Sequence, residues 1–309
     1  MGSGAPAITG PYPYCRKDFA PSRRLSGMID ETIAEIQEMQ THSSSVVAVK
    51  ATRALSELLD RDHATVEEFE RDLERNASAL KRANPSHASL FNAMQTVLVN
   101  VIDRKDTAEE SKALLEEVTD RVVEDVRQGK SRAARRAAPT FEDGDAFLTH
   151  DFSSTVLEAV EGAVDDGADL TAYVTEARPR YLGRKCARQL AGIDGVEPHL
   201  LVDGAAGSFL AECDRVVIGM DCIVDDTLYN RVGTYPIVAT AAHLDVPVTV
   251  VGSAAKIVDS GFVFENEIRP PGEISLEPIE DVVIENPAYD ATPVELADEV
   301  ITDNGVQSV

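Results

Sequence analysis

From about residue 146 onward, short β-branched apolar runs alternate with amphipathic helical stretches, and this alternation restricts the fold more than any other feature. Strands and helices in that rhythm pack as a parallel sheet with helices on both faces. The runs at 146–148, 171–174, 199–202, 215–218, 248–251 and 282–284 are read as strands. Helical periods fall between them at 153–165, 181–190, 205–211 and 236–244. Val216, Val217 and Ile218 are all β-branched, the composition of a strand covered on both faces. The expected class is α/β, with a Rossmann-like parallel-sheet domain over residues 141–309.

The sequence upstream has a different rhythm. Ile29, Ile33, Ile36 and Met39 recur at helical spacing from Met28. A second helix is expected at 46–59, and Thr65-Val-Glu-Glu68 is a capping-box signature opening a third that runs to 83, where Asn84-Pro85 stops it. Further helices are expected at 89–103 and 108–128. These make an all-helical domain over 28–130, joined by a linker at 131–140. Residues 1–27 lack periodicity, are rich in Gly, Pro and Ser, and are expected to form a mobile N-terminal extension, with Met28 an alternative start. Their basic cluster, Arg16, Lys17, Arg23 and Arg24, is given no role.

Charge narrows the function. With 54 acidic against 29 basic residues the net charge is -25, which argues against a nucleic-acid surface. The scarcity of Lys, 8 of the 29 basic residues, and of large aromatics suggests a halophilic protein kept soluble by its surface charge, an acidic mesophilic protein being the other reading. No run of about 18 apolar residues and no signal sequence is present, so a cytoplasmic protein without a membrane partner is expected. Cys15, Cys186, Cys213 and Cys222 lack metal-ligand spacing and are read as free thiols. No metal and no cofactor is expected.

One loop concentrates the chemistry. Asp221 lies just past the predicted strand 215–218, at the sheet edge where open α/β folds bind ligands. Asn230, Arg231, Gly233 and Thr234 follow at the start of the next helix, where cation, amide and hydroxyl groups suit an anion. An ordinary solvated loop is the competing reading.

Gly219-Met-Asp-Cys222 and Asn230-Arg-Val-Gly-Thr-Tyr235 resemble paired motifs of the translation initiation factor 2B alpha/beta/delta family, which includes methylthioribose-1-phosphate and ribose-1,5-bisphosphate isomerases. Thr149-His-Asp-Phe-Ser-Ser154, Glu176-Ala-Arg-Pro-Arg180, Asp203-Gly-Ala-Ala206 and Asn286-Pro-Ala-Tyr-Asp-Ala-Thr-Pro293 resemble further family segments in the same order. The resemblance spans residues 28–306 and implies a helical domain followed by a Rossmann-like one. It implies a homodimer, with the Asn286 segment crossing the interface. It also implies that Asp221 is the family's catalytic Asp, that Arg178 and Arg180 belong to a phosphate-binding Arg-Pro segment, and that Lys256 lies near the pocket. For the two arginines an interdomain salt bridge is the other reading, and Cys222 is read as a small buried apolar residue.

Two departures matter. Where the isomerases carry a catalytic Cys, this chain has Asp151. A thiol can act as a general acid near neutral pH, whereas a carboxyl must have its pKa raised, for example by sharing a proton with a second carboxylate. The neighbouring His150 is read as structural. Where the isomerases carry Arg-Gly-Ala, this chain has Thr41-His-Ser-Ser-Ser-Val46, so Ser43 and Ser44 are either anion ligands or caps of the following helix. These departures favour a regulatory subunit that contacts initiation factor 2 and keeps a sugar-phosphate or nucleotide pocket. The alternative is a ribose-1,5-bisphosphate-type aldose-ketose isomerase in nucleotide salvage, with Asp221 and Asp151 as its catalytic residues and Asp151 a working acid. A metabolite-binding protein with no translation partner is a third possibility.

Overall fold

Two long helices of the N-terminal half, Val66–Ala83 and Ala108–Ala137, begin where a threonine side chain satisfies an unpaired backbone N–H. The computed structural model describes residues 28–38, 44–258 and 261–309. Its helices are α1 (Met28–Glu38), α2 (Ser44–Ala54), α3 (Val66–Ala83), α4 (Ala88–Val101), α5 (Ala108–Ala137), α6 (Ser154–Asp165), α7 (Leu182–Leu190), α8 (Ala206–Phe209) and α9 (Thr234–His243). Thr65 Oγ1 accepts from Glu68 N at 3.3 Å, and Glu68 Oε2 returns the favour to Ala64 N at 2.9 Å, so the predicted capping signature opens α3. From there Phe69, Leu73, Ala77 and Leu80 form one buried face. They join Leu55, Leu90, Met94 and Leu115 in the core of the helical half.

The strands are β1 (Ala146–His150), β2 (Leu170–Thr175), β3 (Val196–Leu201), β4 (Arg215–Gly219), β5 (Cys222–Val224), β6 (Thr227–Arg231), β7 (Val248–Val251), β8 (Ile257–Val258), β9 (Tyr289–Pro293), β10 (Glu299–Thr302) and β11 (Gly305–Ser308). The main sheet runs β11-β10-β7-β4-β1-β2-β3, parallel throughout except for the antiparallel edge pair β10 and β11. One face buries Leu148, Val216, Ile218 and Val250, the other Phe147, Val174, Val217 and Val251. The expected helical and parallel-sheet class is the observed one.

Three expectations need correction. The segment 131–140 is no linker: α5 runs through to Ala137 and a short 3-10 turn follows. Ser131-Arg-Ala-Ala-Arg-Arg-Ala137 is rich in strong helix formers, and Ala133, Ala134 and Ala137 are fully buried against the α6 side of the sheet. One helix therefore belongs to both halves. Residues 282–284 form no strand, and Val283 is 82% exposed; a short apolar run without a partner strand has nothing to pair with. The predicted loop after β4 is instead a hairpin within a second sheet, β8-β5-β6-β9. Asp225 and Asp226 make its two-residue turn with φ of 45° and 60°, the positive values that a type I′ turn demands.

The halves meet through specific backbone contacts. Asn92 of α4 donates from Nδ2 to the carbonyls of Ala255 at 2.9 Å and Ile257 at 2.7 Å. Gly129 lets α5 approach the loop after β7: a Cβ there would stand 2.4 Å from Ser253 Oγ. The calls on residues 1–27 and on Ser43 lie outside the described residues. Replacing Asn92 by Ala strands two carbonyls, and urea unfolding is expected to show a loss of about 1–3 kcal/mol, larger still for Asn92→Asp, which sets an acceptor against acceptors.

Candidate functional site

The strand order reverses direction at the centre of the main sheet: β2 and β3 build outward on one side of β1, β4, β7 and β10 on the other. Chain segments diverging there leave a crevice beyond the carboxyl ends of the strands. Asp151 follows β1 and Asp221 follows β4, so both carboxylates enter that crevice. Gly219 allows the approach, since a Cβ on it would lie 2.5 Å from Ser153 Oγ at the start of α6. The result is a polar cavity of about 340 Å³.

Arg231, delivered by β6, stands between the two acids. Its Nε is 3.4 Å from Asp151 Oδ2 and 3.7 Å from Asp221 Oδ2, and its guanidinium stacks over the Tyr289 ring at 4.6 Å. Burial opposes the Arg231 charge, but Asp221, Tyr289 and Asp151 more than offset it and raise its pKa. Asp151 is only 7% exposed, and burial raises its pKa above the ordinary carboxyl value despite the neighbouring Arg231. Burial also pushes the Tyr289 hydroxyl up to about 12, so the phenol stays neutral.

Arg180, Lys185 and Lys256 complete the cationic lining. Burial, then Arg231 and Arg269, press the pKa of Arg180 down. Lys256 is likewise lowered by burial, and its Nζ donates to the Met220 carbonyl at 2.6 Å. Lys185 lies over the Phe152 ring at 3.8 Å. In a chain of net charge -25, four cations crowded into one cavity repel one another and favour an anionic ligand. At the foot of the cavity Ser153 caps α6, with Ser154 and Thr155 beside it, adding backbone N–H groups at a helix N-terminus.

The sequence matches the initiation factor 2 subunit family over residues 40–308. The chain belongs to that family. It is 32% identical over 291 residues to the ribose 1,5-bisphosphate isomerase of Haloterrigena turkmenica, covering 89% of this chain and 88% of the relative. It is 30% identical to the ribose 1,5-bisphosphate isomerase of Methanocaldococcus jannaschii, covering 90% of this chain and 91% of that one. Among solved structures it is similar to the Pyrococcus horikoshii translation initiation factor eIF-2B, with a TM-score of 0.72 at 25% identity over 90% of this chain and 96% of that one.

Within this family member the sequence-derived site divides in two. Asp151, Asp221, Arg180, Asn230, Arg231 and Lys256 converge on the cavity. Gly233 and Thr234 do not line it. The Asp290 carboxylate already accepts from Gly233 N at 2.8 Å and Tyr235 N at 3.0 Å, so it occupies the N-terminus of α9 where an anion was expected. Thr234 is fully buried, receiving Asn230 Nδ2 at 3.1 Å and donating to the Arg231 carbonyl at 2.7 Å. These bonds fix the turn that aims Arg231. Gly233, at φ 107°, also packs against the His150 ring, which Thr175 Oγ1 and the Val232 carbonyl hold from either side at 2.7 and 2.9 Å.

Arg178 is likewise outside the cavity, where its Nη2 donates to the Ile274 carbonyl at 3.5 Å. With Arg180, Asp151 and Arg231 it borders a small adjoining hollow. Ser43 lies outside the described residues; Ser44 opens α2. Cys222 is buried beside Ala88 and Val258, its thiol pushed up to about 12 by burial. Sequence reasoning missed Lys185, Ser153 to Thr155, Tyr289 and His87. Ser153, Ser154 and Tyr289 lay in segments read as family motifs but were given no part in the site; Thr155, Lys185 and His87 carry no local signature.

The folded chain holds the Asp151 proton more tightly than the unfolded chain, so its ionisation costs stability. Asp151→Asn is therefore expected to match the wild type at about pH 4 and below, and to become the more stable of the two as the pH rises through the raised pKa. Thermal unfolding across that range checks the sign.

Proposed function

We propose that this chain is an aldose-ketose isomerase acting on a pentose bisphosphate, of the ribose 1,5-bisphosphate type. The observation that carries it is a buried Asp151 with a raised pKa in the same cation-lined cavity as Asp221. The expectation at position 151 is thereby revised. Burial moves the carboxyl toward the protonated form, the form that a thiol has naturally near neutrality. The names of the relatives at 30–32% identity support the same reading.

The chemistry asks for one acid and one base. In a furanose 1,5-bisphosphate, C1 carries both a phosphate oxygen and the ring oxygen. Conversion to the 2-ketose breaks the bond from C1 to the ring oxygen, which takes a proton. The hydrogen on C2 moves with its electron pair to C1, and the C2 hydroxyl loses its proton to leave a carbonyl. One proton enters and one leaves, so no outside oxidant is required. Asp151 is the acid and Asp221 the base. Arg231 balances the charge between them, while Arg180, Lys185, Lys256 and the α6 N-terminus hold the phosphates.

A second reading draws on the same position. An Asp where the isomerases carry a Cys, with the likeness to the Pyrococcus horikoshii eIF-2B structure, suits a homodimeric regulator that binds a sugar phosphate without converting it and contacts initiation factor 2. An assay for conversion of ribose 1,5-bisphosphate to ribulose 1,5-bisphosphate in molar KCl separates the two. Turnover is expected in the wild type, with losses of about 10²–10⁴-fold in Asp221→Asn and Asp151→Asn. Wild-type ligand binding with no turnover would favour the regulator.

The acid also predicts a pH signature. Wild-type activity is expected to fall as the pH rises through the raised Asp151 pKa. In Asp151→Cys that alkaline limb should move to the titration of a thiol, ordinarily about 8.5. A pH-rate profile of the two proteins checks it.

A further inference from the structure

His87 sits at the N-cap position of α4, yet its side chain makes no capping hydrogen bond. Its Nδ1 is buried without a partner among the described residues. A half-buried imidazole that does not cap its helix, and whose Nδ1 has no partner among the described residues, is not explained by the hydrogen bonding of the described fold. Its ring lines the cavity of Asp151 and Asp221, and among the described cavity residues it alone comes from the helical half. It also borders a smaller hollow of about 240 Å³, which shares only His87 and Tyr289 with the main cavity.

The surroundings define what the ring can do. Burial, with Lys256 and Arg231 nearby, pushes the His87 pKa down to about 4, although Asp221 works in the opposite sense. The imidazole is therefore neutral across the working range. A neutral ring has one donor and one acceptor nitrogen, and with no protein bond at Nδ1 that nitrogen leaves the tautomer free to suit a ligand. A neutral donor suits a hydroxyl or carbonyl oxygen; the phosphates have cations of their own.

We propose that His87 is a substrate-contacting residue, hydrogen-bonding a sugar oxygen on the Asp221 side of the cavity and so tying the helical half to the ligand. Its catalytic consequence rests on the isomerase reading; its contact with the ligand does not. On substrate binding the ring orients the C2 and C3 region toward Asp221 and transfers no proton itself. A site built to bond a sugar oxygen loses that bond when the imidazole goes, and the loss falls on kcat/KM.

The test uses the full-length protein with ribose 1,5-bisphosphate as the probe, comparing wild type, His87→Ala and His87→Gln for turnover and for binding by calorimetry. His87→Ala is expected to lower kcat/KM on the order of tenfold or more and to weaken Kd, with part of both losses recovered in His87→Gln, which retains an amide donor. Unchanged thermal melting keeps a folding defect from mimicking this result. Wild-type turnover with His87→Ala equal to it would overturn the proposal and leave the isomerase reading standing. If the wild type does not turn over, that reading fails instead, and Kd decides: unchanged affinity in His87→Ala overturns the contact, and weakened affinity upholds it.

Discussion

The Arg231 guanidinium between Asp151 and Asp221 is the interaction on which the site depends. Two acids converging at one crevice would repel if both were ionised, and a single fixed cation between them offsets that repulsion. That cation must itself be held in place. The β5–β6 hairpin carries it, the Tyr289 ring backs it, and Asp290 from the same strand locks the turn behind it. The second sheet thus serves mainly to aim one side chain over the edge of the first.

Burial does the rest. Asp151 stands in the crevice at a left-handed φ of 61°, a conformation that Asp tolerates better than most residues. Low solvent access penalises its charged form more than Arg231 favours it. The same desolvation that makes a buried carboxylate a liability for folding shifts it toward the form that can give up a proton. The chain as a whole carries a net charge of -25, while the cavity gathers cations.

Much of this was legible in the sequence. The alternation of β-branched runs with helical periods gave β1, β2, β4 and β7 nearly to the residue, because buried parallel strands have few other compositions. Asp221, Arg180, Arg231 and Lys256 were reachable because each follows a strand or sits in a collinear motif. The hairpin was not, since Asp225-Asp226 lacks the glycine that usually marks such a turn. Gly233 and Thr234 misled for a physical reason: a helix N-terminus that looks free in sequence is filled by Asp290, 57 residues downstream of Gly233. His87 and Lys185 reach the cavity only through tertiary packing, and the state of Asp151 depends on burial, which one sequence does not display.

The account turns on Asp151 holding its proton more tightly than an ordinary aspartate. The most direct measurement is a carbon-13 NMR titration of carboxyl-labelled aspartates in the folded wild type, with the Asp151 signal assigned by its loss in the Asn variant. The account predicts that this signal titrates well above the ordinary aspartate value of about 3.9. Titration at or below that value would show an ordinary ion pair with Arg231, and the acid assigned to position 151 would be wrong.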